Sequence, residues 1–137
     1  ALQALMKMPA SIKKIIMRRV VITGMGALTP LGNNAGTFIQ NIRSGVSGAD
    51  LIRAFDTHHF KTKFACELKN FDAGAVLDKS EVRKFDLFTQ YALVAVQEAM
   101  EQASLPLDKI NKSRAGVIWG SGNGGLLSFE QEVTAFA

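Results

Sequence analysis

The stretch from Asp86 to Ala103, DLFTQYALVAVQEAMEQA, limits what this chain can fold into more than any other part of it. Leu87, Phe88, Tyr91, Ala92, Val94, Ala95, Val96, Ala99 and Met100 cover most of the circumference of a helix, where a surface helix would carry one apolar stripe. Such a helix is expected to be buried, with neighbours on several sides. Small side chains at Ala92, Ala95 and Ala99 let another element come close. That combination suits the interior of a layered α/β protein larger than these 137 residues.

Two β-branched runs supply candidate strands for the layers. RRVVITG, ending at Gly24, and AGVIWG, ending at Gly120, each read as a short buried strand closed by glycine. After the first comes MGALTPLGNN, a loop rich in Gly, Pro and Asn. Asn34 can then cap a helix through AGTFIQNIRSG, with Phe38, Ile39 and Ile42 as its apolar stripe and Gly45 at its end. The segment FDTHHFKTKFACELKNF has no helical period, and an irregular course with a short strand near Phe64 to Glu67 is expected. Asp78 and Glu81 stand three apart, the capping-box spacing, and open a helical region carrying Arg83 and Lys84 that continues into, or restarts at, Asp86. Past the connection SLPLDKINKSR and the second strand, LLSFEQEVTAF reads as an amphipathic helix.

The turn before that last helix holds Gly120, Gly122 and Gly125 in a G-x-G-x-x-G arrangement. A dinucleotide site uses the first glycine for a tight turn, the second for approach of the pyrophosphate and the third for helix packing, with an acid about 20 residues on for the ribose. The position of that acid lies past Ala137, and Gly124 beside Gly125 makes the turn looser than the fingerprint requires. The earlier GMGALT has Thr29 and Pro30 where the third glycine and the helix should stand, so it fails as a phosphate loop. Sharp turns at strand ends explain both clusters more simply.

Net charge +4 and a basic isoelectric point would suggest nucleic acid or an acidic membrane, but the distribution removes that reading. Lys7, Lys13, Lys14, Arg18 and Arg19 precede every acid, and from Val20 onward 11 basic residues face 12 acidic ones. Residues 1–16 form an apolar, basic leader interrupted by Pro9, and Met17 stands directly before the first strand-like run. A natural start at Met17 behind vector-derived or mis-assigned sequence, and a targeting remnant, are the two readings of that leader. No apolar run approaches the roughly 20 residues needed to cross a bilayer, and a soluble protein is expected. Cys66 is the sole cysteine, which excludes an internal disulfide and a thiolate cluster. It is expected to be an inert, packed thiol. His58 and His59 lack further ligands at metal-site spacing and read as a solvated pair; no metal or cofactor is called for.

Three long words, RRVVITGMGALTPLG, RKFDLFTQYALVAVQEAM and AGVIWGSGNGG, in this order and spacing, resemble the N-terminal part of the β-ketoacyl-[acyl-carrier-protein] synthase II family, the condensing enzymes of type II fatty acid synthesis. The resemblance runs from about Met17 to Ala137. It implies a thiolase-like fold, two related α/β halves with a layered αβαβα core, working as a cytoplasmic homodimer, or within an organelle if the leader is a targeting remnant. Residues 17–137 would be less than one half. In this family a cysteine at a helix N-terminus takes an acyl group from acyl carrier protein, malonyl carrier protein loses CO₂, and two histidines stabilise the oxyanion during a Claisen condensation. Those motifs belong downstream of Ala137.

The resemblance also implies roles for residues that are present. Basic residues on the short helix before the long one meet the acidic carrier protein, which assigns docking to Arg83 and Lys84 with Lys79 nearby; Ser80 stands where another basic residue is common. The glycine turn borders the acyl pocket near the dimer interface, which places Gly122 and Asn123 there. Asn123 is polar where related enzymes often carry a large apolar gate, so the acyl-length preference is open. Two other identities remain to be separated: a non-catalytic partner resembling a chain-length factor, and a piece of a nucleotide-binding oxidoreductase.

Overall fold

A computed structural model describes residues 19–137. The leader 1–16 and the boundary at Met17 lie outside the described residues. Along the chain run α1 (Ala35–Arg43), β1 (Asp50–Leu51), β2 (Phe64–Ala65), a 3₁₀ turn (Ala73–Ala75), α2 (Lys79–Lys84), α3 (Leu87–Ala103), a second 3₁₀ turn (Lys112–Arg114) and α4 (Leu126–Phe136).

Local chemistry sets the helix ends where the sequence puts them. The Asn34 side chain accepts from Thr37 N at 2.7 Å to open α1, and Gly45 follows its last residues with φ +67°. Asp78 accepts from Ser80 N and Glu81 N at 2.7 and 2.8 Å while Glu81 accepts from Asp78 N, so the capping box at α2 is complete. Strands β1 and β2 pair antiparallel with Asp50 opposite Ala65 and Leu51 opposite Phe64. Lys69 and Arg53 hold their cations 3.1 and 3.3 Å from the Asp50 carboxylate, and the Lys69 hydrogen bond first of all keeps that carboxyl below its usual value of 3.8.

Helix α3 is the post around which the rest is arranged. The segment carrying Gly24 and Gly26 lies directly on its small-residue stripe: a Cβ at Gly24 would stand 2.0 Å from Ala99 O, and one at Gly26 only 1.8 Å from Ala95 O. Glu98 and Gln102, one turn apart on the same helix, secure that approach. Glu98 accepts from Ala27 N (2.9 Å) and from Ala35 N (2.8 Å), satisfying a free donor at the start of α1, and Gln102 accepts from Met25 N at 2.6 Å. Phe71 stacks edge to face on Tyr91, further toward the N-terminus of the same helix, with ring centroids 4.7 Å apart.

Three expectations are corrected. RRVVITG and AGVIWG are not paired strands among the described residues: Val20 and Ile22 are 94% and 82% exposed, Val117 and Ile118 81% and 99%. A strand needs a hydrogen-bonded neighbour, and among the described residues neither run has one. Helix α3 is half-buried, with Gln90 and Ala92 its fully buried members, because one side meets the glycine segment and the Phe71 turn while Leu87 and Leu93 face out. Cys66, one residue past β2, is exposed rather than packed, since the two-residue strands have no layer against that side. His58 and His59 are both exposed, with rings edge to face at 4.9 Å. No described helix is long and apolar enough to cross a membrane.

Candidate functional site

A groove of about 700 Å³ lies between the α2–α3 corner and the first turns of α4. Arg83, Lys84, Asp86, Phe88, Asn123 and Ser128 are among its lining residues. Two regions that the sequence suggested separately, the basic short helix and the glycine turn, therefore share one depression.

The corner is built by a polar side chain buried for a purpose. Phe85 leaves the helical conformation (φ −102°, ψ 136°) and ends α2 after six residues. Gln90, 6% exposed, donates from Nε2 to Val82 O at 3.0 Å and to Phe85 O at 2.7 Å. Those are carbonyls that the helix end leaves free, so one amide ties the end of α2 to the first turn of α3. Arg83 and Lys84 are thereby held in the last turn of α2, where cations suit the helix dipole, and both are exposed. The Lys84 ammonium lies 5.9 Å from the Phe85 ring centroid. Lys79, one turn before Arg83, lines a second groove of about 470 Å³ with Phe71, Leu77 and Gln90, and Arg83 borders both grooves. Among the described residues, Lys79, Arg83 and Lys84 form no ion pair.

The glycine turn is fitted to protein rather than to phosphate. Gly125 has φ +72°, and a Cβ there would also stand 2.8 Å from Asp86 Oδ2; a Cβ at Gly124 would meet Phe88 Cε1 at 2.8 Å. Gly120 and Gly122 have open space around them. Asp86 opens α3 without a side-chain bond to its own helix; its Oδ1 accepts instead from the Ser128 hydroxyl in the first turn of α4. The α4 N-terminus thus already faces a carboxylate, which favours that helix end and repels a pyrophosphate brought to the same place. Asn123 is exposed and lines the groove, whereas Gly122 does not.

Glu98, Gln102 and Gln90 were not singled out from sequence, and Asp86 was read only as a place where the helix could restart. Their signal was present: polar groups on a helix apolar around most of its circumference must be paired where it packs.

The model of the family described as "Beta-ketoacyl synthase, N-terminal domain" matches residues 17–136. The chain belongs to the β-ketoacyl synthase family. It is 48% identical over 113 residues to a protein named 3-oxoacyl-[acyl-carrier-protein] synthase 2 from Staphylococcus aureus (strain COL), covering 82% of this chain and 27% of that protein. The protein of the same name from Coxiella burnetii (strain RSA 493 / Nine Mile phase I) is 41% identical over 118 residues, covering 86% and 28%. The chain therefore spans a little over a quarter of these relatives. Among solved structures, the ishigamide ketosynthase/chain length factor superposes with a TM-score of 0.75 at 31% identity, over 87% of this chain and 30% of that one. A type II PKS ketosynthase solved with its acyl-carrier protein gives 0.68 at 28% identity, over 88% and 30%. The fold of this β-ketoacyl synthase segment is accordingly part of a thiolase-like α/β fold.

Proposed function

We propose that the protein to which this chain contributes is an elongating β-ketoacyl-[acyl-carrier-protein] synthase II of fatty acid biosynthesis, with residues 17–137 forming the N-terminal part of its domain behind a leader at 1–16. A cysteine downstream of Ala137 takes the acyl chain as a thioester. Malonyl carrier protein then loses CO₂, its carbanion attacks the thioester carbonyl, and the cysteine thiolate leaves as β-ketoacyl carrier protein is released. Two histidines, also downstream, donate to the oxyanion. The working form is a homodimer in the cytoplasm.

One observation carries the reading to particular residues: the groove that joins Arg83 and Lys84 to Asn123. Cations and a glycine turn lining one depression suit a partner that arrives as an acidic protein and delivers a chain. In this reading Lys79, Arg83 and Lys84 meet the carrier protein, while Gly122 and Asn123 border the acyl pocket. The solved ketosynthase with its acyl-carrier protein supports the choice of partner.

Arg83→Glu in the full-length enzyme is expected to raise the KM for acyl carrier protein roughly tenfold at low salt, with the effect shrinking as salt rises and kcat holding. An unchanged KM at both ionic strengths would remove Arg83 from docking. The likeness to a ketosynthase/chain length factor favours a second reading, a non-catalytic partner subunit. The residue at the downstream nucleophile position separates the two: cysteine gives the enzyme, any residue without a thiol gives the partner.

A further inference from the structure

We infer that Asp86 is a positioning residue that sets the acyl-length preference of this enzyme by latching the glycine turn, through Ser128 and Gly125, to the corner that carries Arg83 and Lys84. The inference rests on the condensing-enzyme reading and adds to it a specificity determinant within this segment.

The geometry behind it is specific. Asp86 stands three residues after Arg83 and two after Lys84, at the N-cap of α3, yet it makes no side-chain bond to its own helix. Ser and Asp at such positions ordinarily accept from the backbone two or three residues on. Here Oδ1 accepts from the Ser128 hydroxyl, 42 residues away, and Oδ2 lies where a side chain at residue 125 would begin. Gly125 supplies no side-chain cap to α4, and the Asp86 carboxylate, bonded to Ser128, is the anionic group placed beside that helix end. Gly124 against Phe88 adds a second contact between the same two segments. Asn123 is the next residue of the turn, and it faces the groove. The position of Asn123 is therefore referred to the α2–α3 corner by one hydrogen bond and two close backbone approaches, with Gln90 fixing the corner itself.

If the turn borders the acyl chain, freeing the latch changes which chain lengths fit without changing the cations. The test uses full-length enzyme and a series of acyl carrier proteins from short to long acyl groups. Asp86→Ala and Ser128→Ala are each expected to shift the long-to-short ratio of kcat/KM by roughly tenfold, the scale of one hydrogen bond to a charged group, while the KM for malonyl carrier protein stays within about twofold. Asp86→Asn keeps an oxygen able to accept from Ser128 and is expected to restore the wild-type ratio. The double variant is expected to match the single ones, because one bond is lost in each case. Asn123→Ile, which alters the turn directly, calibrates how far the ratio can move. A merely structural role would lower the melting temperature and leave the ratio alone. Wild-type ratios in Ser128→Ala and Asp86→Ala overturn the inference, and Ser128→Ala decides alone where Asp86→Ala does not accumulate folded. Absence of condensation by the unmutated full-length protein would count against the condensing-enzyme reading instead, which keeps the two failures distinct.

Discussion

At the scale of single residues, glycine carries two different meanings in this chain, and the sequence showed the residue without the reason. Gly125 is needed for its positive φ and for the Asp86 carboxylate beside it. Gly26, by contrast, is needed because Ala95 O occupies the place of a Cβ. The small residues Ala92, Ala95 and Ala99 announced that something would come close, but the loop that meets Ala95 and Ala99 lies 69 or more residues earlier, which no local pattern encodes. Glu98 illustrates the same limit: a carboxylate on an apolar helix signals a partner, and only the fold identifies it as Ala27 N and Ala35 N. Gly26→Ala in the full-length protein is expected to cost roughly 3 kcal/mol or more, because the obstacle is helix backbone and cannot rotate away. The loss should appear as a lower melting temperature by calorimetry. A melting temperature equal to the wild type would mean that the loop does not lie on α3 as described.

Among the elements, the helices and the short strand at Phe64–Ala65 were legible and the two β-branched runs were not, for a reason that lies in where each keeps its hydrogen bonds. A helix satisfies its backbone within one segment, so Asn34, the Asp78 and Glu81 pair and the apolar pattern from Leu87 onward were enough to place α1, the start of α2 and the body of α3. A strand borrows its bonds from neighbours, and the β-branched runs at Val20 and Val117 find none among the described residues. The corner between α2 and α3 was foreseen only as a choice between continuing and restarting. Gln90 makes the restart stable by occupying carbonyls at Val82 and Phe85. Gln90→Leu keeps the bulk of the side chain and removes the donor, leaving two helix-end carbonyls without a partner in a half-buried place. The expected cost is about 1–3 kcal/mol. In the full-length enzyme the variant should also raise the KM for carrier protein, since Arg83 and Lys84 are aimed by this corner, and an unchanged KM with reduced stability would confine Gln90 to a structural role.

Across the whole molecule, the side chains that remain uncovered are the wrong ones for a self-sufficient domain. Val20, Ile22, Ile118 and Phe136 are 94%, 82%, 99% and 96% exposed, while among the described residues the buried apolar ones are Ala35, Ala73, Leu77 and Ala92, mostly too small to form a core. The family's thiolase-like fold accounts for the imbalance, since in a layered sheet such runs lie between helices and beside other strands. Relatives of which this chain spans 27% have the additional length to supply those layers. A polypeptide of residues 17–137 alone is therefore expected to bind a hydrophobic dye such as ANS, to self-associate in sedimentation, and to melt without a sharp transition. Stripping it from neighbours leaves the backbone of both β-branched runs without partners, and such extended apolar segments template association of one copy with another. A monomer at micromolar concentration with a single cooperative transition and no dye binding would show that Val20 to Ile22 and Val117 to Trp119 need no outside cover, and the placement of these runs inside a larger sheet would fall with it.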